Sequence, residues 1–433
     1  MDATVQDASG ADAGPRFDAG GVDAAKDSAA PPPFDAGPLD GSVPGCDLGG
    51  LLAGSPWPMN GYCPARRARS PIFGPTMKPL HSWVQPLGAA AGVLWSEPVL
   101  GADGTIFVTA GNDYVAAFAH DGTQLWEHAL PGAPGNLLEV VPALAADRTL
   151  RVIDFNSATY FVVPIDGGTV TATPLQGGQA GEGELTIVSG GASYFGDQDG
   201  FLDAVNASAQ PIWSAPSCSN ESDYFGVNSA GDIFSGYSGA GAYLAEVSPD
   251  GGAVVWTSGT IGGDRVTQVS VAVDQTVRAA SYNNVYSFDP SRAEDAGLVW
   301  VQGLAQNEGI AVADDGWTYA TTGSGPPDGG PSGIYAYDPS GAAVIGAAGE
   351  NCSGPIVDAA QNVYAFCAGT IVAFSPHLAF PLWSVDLGQT FPAYSGMMLY
   401  DTVVLGQGGD VYFTANAPLP DGGTTPIVCA LTP

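Results

Sequence analysis

Four acidic residues recur at one equivalent position of a repeat that runs through most of this 433-residue chain. They are Glu184, Asp223, Glu308 and Asp401. Carboxylates that surround one opening can bind calcium or a basic peptide segment, because hard cations and ammonium groups favour charged oxygen ligands. The alternative is a set of solvated acids at the starts of strands. These four residues are therefore the candidate metal site.

The six cysteines predict disulfides rather than catalysis. Cys352 and Cys367 flank the turn at 358–361 symmetrically, so we expect them to face each other across a hairpin within disulfide reach. The alternative is a pair of reduced core cysteines. Cys46 and Cys63 form the second expected disulfide, whereas Cys218 and Cys429 have no obvious partner. Oxidised pairs indicate an extracytoplasmic protein.

Residues for other catalytic chemistry are scarce, and we predict no catalytic residues. The chain has four histidines, of which His120 and His128 flank one hairpin. That pair could ligate a metal, but two solvated turn histidines are the alternative. No cysteine is adjacent to another, and no Cys-x-x-Cys-His haem site is present.

The charge of the chain excludes several classes of partner. Lys and Arg number 11 against 44 Asp and Glu, which gives a net charge of −33. Such a surface repels phosphate backbones and anionic lipid headgroups. No apolar run approaches the roughly 20 residues of a membrane-spanning helix. We expect no nucleic-acid partner and no transmembrane segment.

The elements that must position these residues are short strands in a repeated unit, of which 96–130 is the clearest copy. Four segments with period-2 alternation are separated by Asp-Gly and Asn-Asp turns. Repeated first turns and a second series of outer-strand tryptophans each count eight units. Two tryptophan positions are vacant in that second series, at Thr171 and Ile345.

The ends of the repeat array complement each other. The last unit stops at its third strand, while the segment around Trp83 is a fourth strand with no repeat before it. Pairing the two removes exposed sheet edges. We predict an all-β fold, an eight-bladed β-propeller of four-stranded antiparallel blades whose last blade is closed by the N-terminal strand around Trp83.

Three segments are predicted: a disordered Asp/Ala/Pro-rich tether at 1–45, a leader at 46–80 that packs on the propeller, and the propeller at 81–433. The leader holds the basic cluster Arg66, Arg67 and Arg69, with Lys78 nearby. This cluster either packs against the acidic propeller or forms a docking patch for an acidic partner. Long loops of the sixth and eighth units are expected on the face that carries the four acids.

The units resemble the pyrroloquinoline-quinone repeat family, with an Asp-Gly-Thr-like turn, Ala-Phe or Tyr-x-Phe, and Gly-x-x-x-Trp. The leader adds Trp57-Pro58-Met59, but Ala68 stands where the family commonly has glycine. The family includes quinoprotein dehydrogenases and non-enzymatic propellers such as outer-membrane-assembly lipoproteins. Without adjacent cysteines, the resemblance implies the non-enzymatic branch, and a quinone-dependent oxidoreductase is the alternative.

The resulting functional expectation is a secreted or surface-tethered monomer in the periplasm or on the cell surface, lipid-anchored before processing. It would bind a protein or a polysaccharide of the cell envelope. No cofactor is expected, with calcium as the one candidate ion.

Overall fold

The structure of the protein is a computed structural model that describes most of the chain from Val43 to Pro433. The described residues are 43–88, 92–94, 97–111, 114–131, 141–154, 159–175, 185–197, 200–216, 225–237, 242–261, 265–293, 297–304, 307–323, 332–347, 351–399, 402–419 and 422–433, with the backbone alone at 308, 345 and 347. Most of the predicted tether, up to residue 42, lies outside them.

The strands form eight four-stranded antiparallel sheets, and the predicted all-β propeller with eight blades is confirmed. The strand that precedes the first complete blade is β1 (His81–Pro86). Blades 1 to 4 are built from β2 (Val99–Leu100), β3 (Ile106–Ala110), β4 (Tyr114–Phe118), β5 (Gln124–Ala129); β6 (Ala143–Ala145), β7 (Thr149–Asp154), β8 (Thr159–Pro164), β9 (Thr171–Pro174); β10 (Thr186–Ile187), β11 (Ser193–Gly196), β12 (Phe201–Val205), β13 (Pro211–Pro216); and β14 (Phe225–Val227), β15 (Ile233–Tyr237), β16 (Tyr243–Val247), β17 (Val254–Thr257).

The second half of the ring repeats this order. Blades 5 to 8 are built from β18 (Val266–Val271), β19 (Val277–Ser281), β20 (Asn284–Phe288), β21 (Leu298–Gly303); β22 (Asn307–Val312), β23 (Thr318–Thr322), β24 (Gly333–Tyr337), β25 (Ala343–Ala347); β26 (Ile356–Val357), β27 (Val363–Cys367), β28 (Thr370–Phe374), β29 (Pro381–Asp386); and β30 (Val404–Leu405), β31 (Val411–Pro418), β32 (Thr424–Thr432) with β1. The described helical segments are α1 (Leu387–Thr390) and two 3-10 turns, Pro376–Leu378 and Pro392–Tyr394.

Blade 8 closes the ring as the sequence predicts. Strand β1 pairs antiparallel with β32, and Trp83 lies opposite Ala430. The edge that the C-terminal strand would expose is therefore covered by the N-terminal strand. The loop predicted to be long in this blade is short, because β31 and β32 extend to Pro418 and Thr424.

The second and third strands of a blade are more deeply buried than its outer strand. In blade 1, β3 and β4 are buried throughout, whereas β5 alternates between exposed and partly buried residues. Neighbouring blades cover both faces of the second and third strands, so these strands are apolar throughout. The outer strand keeps one covered face, and that face carries the tryptophan.

Six tryptophans join successive blades. In five of these tryptophan latches, an indole N–H donates to a carbonyl oxygen in the turn between the third and fourth strands of the next blade, and in the sixth it donates to a carbonyl oxygen of the leader. The pairs are Trp83 with His120, Trp126 with Ile165, Trp213 with Pro249, Trp256 with Arg292, Trp300 with Pro339, and Trp383 with Pro75. In the last pair, Pro75 of the leader takes the place of a turn that blade 8 lacks.

Two interfaces lack the latch. Thr171 lies opposite Val162 in blade 2, at the predicted vacant position. In blade 6 the residue opposite Ala336 is Val344, one residue before the predicted Ile345. The shift arises because β24 and β25 pair without the β-bulge that precedes the tryptophan in blades 1, 3, 4, 5 and 7.

Candidate functional site

The first strands of the blades line the central channel, and the leader contacts the inner part of every blade. Backbone N–H groups at equivalent first-strand positions donate to leader carbonyl oxygens in six blades. The pairs are Leu100 with Trp57, Leu144 with Pro58, Val227 with Pro64, Val271 with Ala65, Val312 with Arg67, and Val357 with Ala68. In blade 3 the contact is Arg66 with Thr186, and in blade 8 it is Gln407 with Gly54.

These contacts follow the ring in order. From Gly54 to Ala68 the leader meets blades 8, 1, 2, 4, 5, 6 and 7 in succession, and the Arg66 side chain reaches blade 3. All of the contacted positions lie where first strands end and second strands begin. We call this end of the ring the plug face, and the end where second strands finish the opposite face. The leader thus makes one circuit across the channel at the plug face.

The leader holds an irregular backbone to make this circuit. Tyr62, Arg66 and Ala68 have φ values of 73°, 51° and 49°, in the left-handed region that non-glycine residues rarely adopt. Such conformations persist only where surrounding contacts impose them. The disulfide between Cys46 and Cys63, with Cα atoms 5.8 Å apart, crosslinks the start of the leader to its centre.

The basic cluster lies inside the protein. Arg67 and Arg69 are buried and share Asp314 at the edge of blade 6: each places its Nη2 at 2.7 Å from a different carboxylate oxygen. Burial lowers the pKa of the Arg67 guanidinium below its ordinary value, and the Asp314 carboxylate opposes that shift. Paired and buried in this way, the two guanidinium groups anchor the leader and do not form an exposed docking patch.

Arg66 is also fully buried, and it is held by blades 3 and 4. Its Nη2 donates to Thr186 Oγ1 at 2.8 Å, and its guanidinium lies 5.3 Å from the centre of the Phe225 ring. A guanidinium at this distance from an aromatic face gains cation–π attraction. The three arginines therefore hold the leader to two sectors of the ring, Arg67 and Arg69 to blade 6 and Arg66 to blades 3 and 4.

Asp358 fixes the last part of the leader. It is fully buried at the end of the first strand of blade 7, and its Oδ2 accepts from the Gly74 N–H at 3.0 Å and the Tyr364 hydroxyl at 3.1 Å. Burial raises the pKa of the Asp358 carboxyl, and the hydrogen bonds from Asn362 and Gly74 oppose that rise.

Trp57 extends from the leader along the first strand of blade 1. Its carbonyl pairs with Leu100, and its indole N–H donates to the buried Glu97 Oε1 at 2.8 Å. The sequence singles out Trp57-Pro58-Met59 without a structural reason. The structure supplies one: the indole occupies the channel and carries a hydrogen bond to a carboxylate near the start of the strand.

Two amide side chains join neighbouring blades near the opposite face. Asn416 accepts from the Leu94 N–H and donates to the Leu94 carbonyl, at 3.0 and 2.8 Å. Gln268 does the same with the Ile310 backbone, at 2.6 and 3.1 Å. Sequence reasoning missed both, because a single Asn or Gln in a strand has no pattern that marks it as a clamp.

The opposite face also exposes apolar side chains. Tyr282, Met398 and Leu419 are 48%, 51% and 39% exposed. Tyr282 directly follows the second strand β19 and Leu419 directly follows the second strand β31, and Met398 pairs with Asn416 near the end of the same strand β31. Exposed side chains of this kind favour a protein as the binding partner, because aromatic and Met side chains are enriched where proteins bind one another.

The four predicted acids cannot all be located. Glu184, Asp223 and Asp401 lie outside the described residues, and at Glu308 only the backbone, in β22, is described. The four acids precede or begin first strands, which start at the opposite face. Because none of their side chains is described, the metal site predicted for them stays a prediction. Within the described part of the chain, no group of three or more His, Cys, Asp and Glu residues could hold a metal ion.

The predicted histidine and cysteine sites are now placed. His128 Nε2 lies 3.0 Å from the Gly167 carbonyl oxygen of blade 2, and its ring packs on Trp126, so it belongs to a blade interface. Cys352 and Cys367 form the predicted disulfide, with Cα atoms 4.0 Å apart, between an isolated bridge residue ahead of β26 and the last residue of β27. Cys429 is a free, buried thiol, and Cys218 lies outside the described residues.

Among the described residues, no helix is long and apolar enough to cross a membrane.

Comparison with known proteins supports the fold. No family model and no curated protein sequence matches the chain. Among solved structures, the C-terminal WD40 domain of Sif2 is similar, with 12% identity, 65% of this chain and 80% of that chain covered, and a TM-score of 0.50. A catalytically inactive virginiamycin B lyase from Staphylococcus aureus with quinupristin has 10% identity, coverage of 81% and 100%, and a TM-score of 0.47. The pyrroloquinoline-quinone repeat resemblance stays a prediction.

Proposed function

We propose that the chain is a non-catalytic, extracytoplasmic propeller scaffold that binds a protein partner through the opposite face. One observation carries the proposal: the leader makes a circuit of the plug face and uses the first-strand N–H groups of six blades there. A partner that engages the channel end must therefore approach from the opposite face. Loops of a rigid propeller at such a face are the usual place for binding residues.

The location outside the cytoplasm is supported by the two disulfides. Cys46–Cys63 and Cys352–Cys367 are each buried or partly buried in the structure, and paired cysteines persist in oxidising compartments. The net charge of −33 favours a partner with a basic surface, because opposite potentials steer association. A scaffold of this kind needs no cofactor.

Two methionines provide a matched test of which face binds. Met398 on the opposite face and Met77 in the leader at the plug face are both more than half exposed. A photo-crosslinking amino acid at position 398 is expected to capture an envelope protein in native cells, while the same residue at 77 captures none. Tyr282→Lys should reduce the yield at 398 at least fivefold, since it adds a charge to the contact surface.

Crosslinks at position 77 alone, or at neither position, would contradict the proposal. The rival function, a quinone-dependent oxidoreductase, is tested separately by dye reduction with pyrroloquinoline quinone and calcium. Turnover in that assay would replace the scaffold proposal with an enzymatic one.

A further inference from the structure

A cavity of about 570 Å³ opens on the outer half of blade 7. Its lining combines the third and fourth strands of that blade with one end of the Cys352–Cys367 disulfide. The residues are Cys367, Ala368, Thr370, Val372, Phe374, Pro381, Leu382, Trp383 and Ser384. The walls are mainly apolar, with hydroxyl groups at Thr370 and Ser384.

The position of the cavity follows from the repeat. Val372 and Phe374 of β28 are equivalent to Tyr335 and Tyr337 of β24, which belong to the same buried cluster as Trp300 of blade 5. The Trp300 and Tyr337 ring centres are 5.8 Å apart. Val372 and Phe374 therefore face the place that a tryptophan of blade 6 would fill.

Blade 6 supplies no such tryptophan. Val344 stands at that register position, and its side chain is 42% exposed. Leu378 of blade 7 packs on Gly346 of blade 6, where an added Cβ would lie 2.8 Å from Leu378 Cδ1. The cavity at Val372 and Phe374 is thus the part of an indole site that the neighbouring side chains leave open.

The interface between blades 2 and 3 also lacks a latch, but it has polar residues at the same positions. At the third-strand position of blade 3 that corresponds to Val372, the chain has Asp203. Arg151 of blade 2 donates from Nη1 to the Ala207 carbonyl at 3.2 Å, at the turn position that accepts from indoles elsewhere. Polar groups replace the indole there, whereas apolar walls remain in blade 7.

We propose that this cavity of blade 7 is a binding site for a planar aromatic group. Phe374 and Val372 occupy the positions at which Tyr337 and Tyr335 of blade 6 pack with the Trp300 indole, and Ser384 and Thr370 can hydrogen-bond a polar substituent. The volume falls in the range of small-molecule sites, about 300–1,000 Å³. This site extends from the outer strands of blade 7 to Cys367 and Ala368 at the edge of the opposite face, and its occupation by an aromatic group does not depend on the protein partner proposed for that face.

Indole binding to the full chain tests the proposal. Calorimetry and ligand-observed NMR are expected to show one indole bound per chain. Val372→Trp should fill the cavity and weaken binding at least tenfold. Ser384→Phe, on the exposed outer strand, is a second filling variant that spares the core and should have the same effect.

Trp300→Ala is the matched positive control, because it opens the equivalent position between blades 5 and 6. This variant should bind two indoles per chain, and its melting temperature should rise with added indole. A pentapeptide with one central Trp distinguishes a partner's side chain from a free aromatic molecule as the occupant. No indole binding to the wild-type chain, or binding unchanged in both filling variants, would overturn the proposal.

Discussion

Blade 6 packs against blade 5 and against blade 7 through equivalent positions, but different side chains fill those positions at the two interfaces. In the first, Trp300 lies over Gly341, which has φ of 87°, and a Cβ at that glycine would lie 2.8 Å from the indole. In the second, Val344 replaces the tryptophan and Leu378 replaces the glycine, with φ still positive at 54°.

The same exchange occurs between blades 2 and 3. Thr171 stands at the tryptophan position, and the following turn has Ala209, with φ of 59°, at the position that Gly122 and Gly167 occupy in their turns. By contrast, Gly122 and Gly167 follow the latched tryptophans Trp83 and Trp126, each within 2.8 Å of the ring for an added Cβ. The comparison teaches that the two positions are coupled. Four latched indoles lie over a glycine of the following turn, whereas Trp256 has Arg292 in its turn, and a turn side chain can occupy part of the space of a lost indole.

The hydrogen bonds change together with the packing. In blades 1, 3, 7 and 8 an aromatic residue of the second strand packs on the tryptophan of the same blade, as Tyr364 does on Trp383 with ring centres 5.9 Å apart. In blade 6 the equivalent Tyr319 instead accepts from the His377 N–H of blade 7 at 3.1 Å. Without its tryptophan, the second-strand residue takes over the link to the next blade.

The largest expected effect is the loss of a latch. Trp300→Ala removes an indole packed on Tyr337 and its hydrogen bond to Pro339, and should lower the free energy of unfolding by about 3–5 kcal/mol. Val344→Ala, at the equivalent position of blade 6, should cost less than about 1 kcal/mol because that side chain is partly exposed. Denaturant unfolding measures both, and equal losses would show that the two interfaces do not differ.

A smaller effect is expected from the turn. Gly341→Ala places a Cβ against Trp300 and forces a non-glycine residue to positive φ, which should cost about 1–3 kcal/mol. The matched reverse change, Ala209→Gly, lies at an interface without an indole and should shift stability by less than about 1 kcal/mol. If the alanine at 341 were tolerated as well as the natural one at 209, the pairing of indole and glycine would be wrong. Thermal unfolding of both variants makes the comparison.

The smallest effect concerns pH and the interface between blades 2 and 3. Burial raises the pKa of Asp203 from 3.8 to about 6, against the hydrogen bond to Ser214. A raised folded-state pKa means that stability is highest when the group is protonated in both states, below about pH 4, and is lost as the pH rises through about 6. Asp203→Asn should therefore stabilise the protein by about 1–2 kcal/mol at pH 7.5 and leave it unchanged at pH 3.5.

Asp289 provides the control for that titration. Hydrogen bonds from Ser291 lower the pKa of the Asp289 carboxyl, so Asp289→Asn should act in the opposite direction. It should lower the free energy of unfolding at neutral pH, and this loss of stability should disappear in acid. A pH-independent effect of Asp203→Asn would mean that the pKa of the carboxyl is the same in the folded and unfolded states.

The ring was predictable from the sequence because its signals are local and repeated. The turn residues and the tryptophan spacing each predicted eight blades. The unpaired strand around Trp83 predicted the closure with β32. The disulfide of Cys352 and Cys367 followed from the symmetry of a hairpin. Such features depend on residues that lie near one another in the chain or on one repeated register.

The leader was not predictable in the same way. Its carbonyl groups bind equivalent N–H groups of six blades, and a backbone carbonyl carries no sequence signature. The buried pairing of Arg67 and Arg69 with Asp314 joins residues more than 240 positions apart. The Ile345 misplacement has a similar origin, because only the pairing of two strands reveals whether a bulge is present.

The circuit of the leader has a consequence for how the chain is made. Gly54 meets Gln407 across 353 positions and Pro75 meets Trp383 across 308, so leader residues that leave the ribosome early have partners among the last to be made. Contacts of such high sequence separation slow folding. Until blade 8 emerges, Trp57, Tyr62 and the strand β1 have no complete binding surface, and nascent chains expose apolar segments to aggregation for the whole of synthesis. Export in an unfolded state would remove this difficulty, because all eight blades would then be available when folding begins.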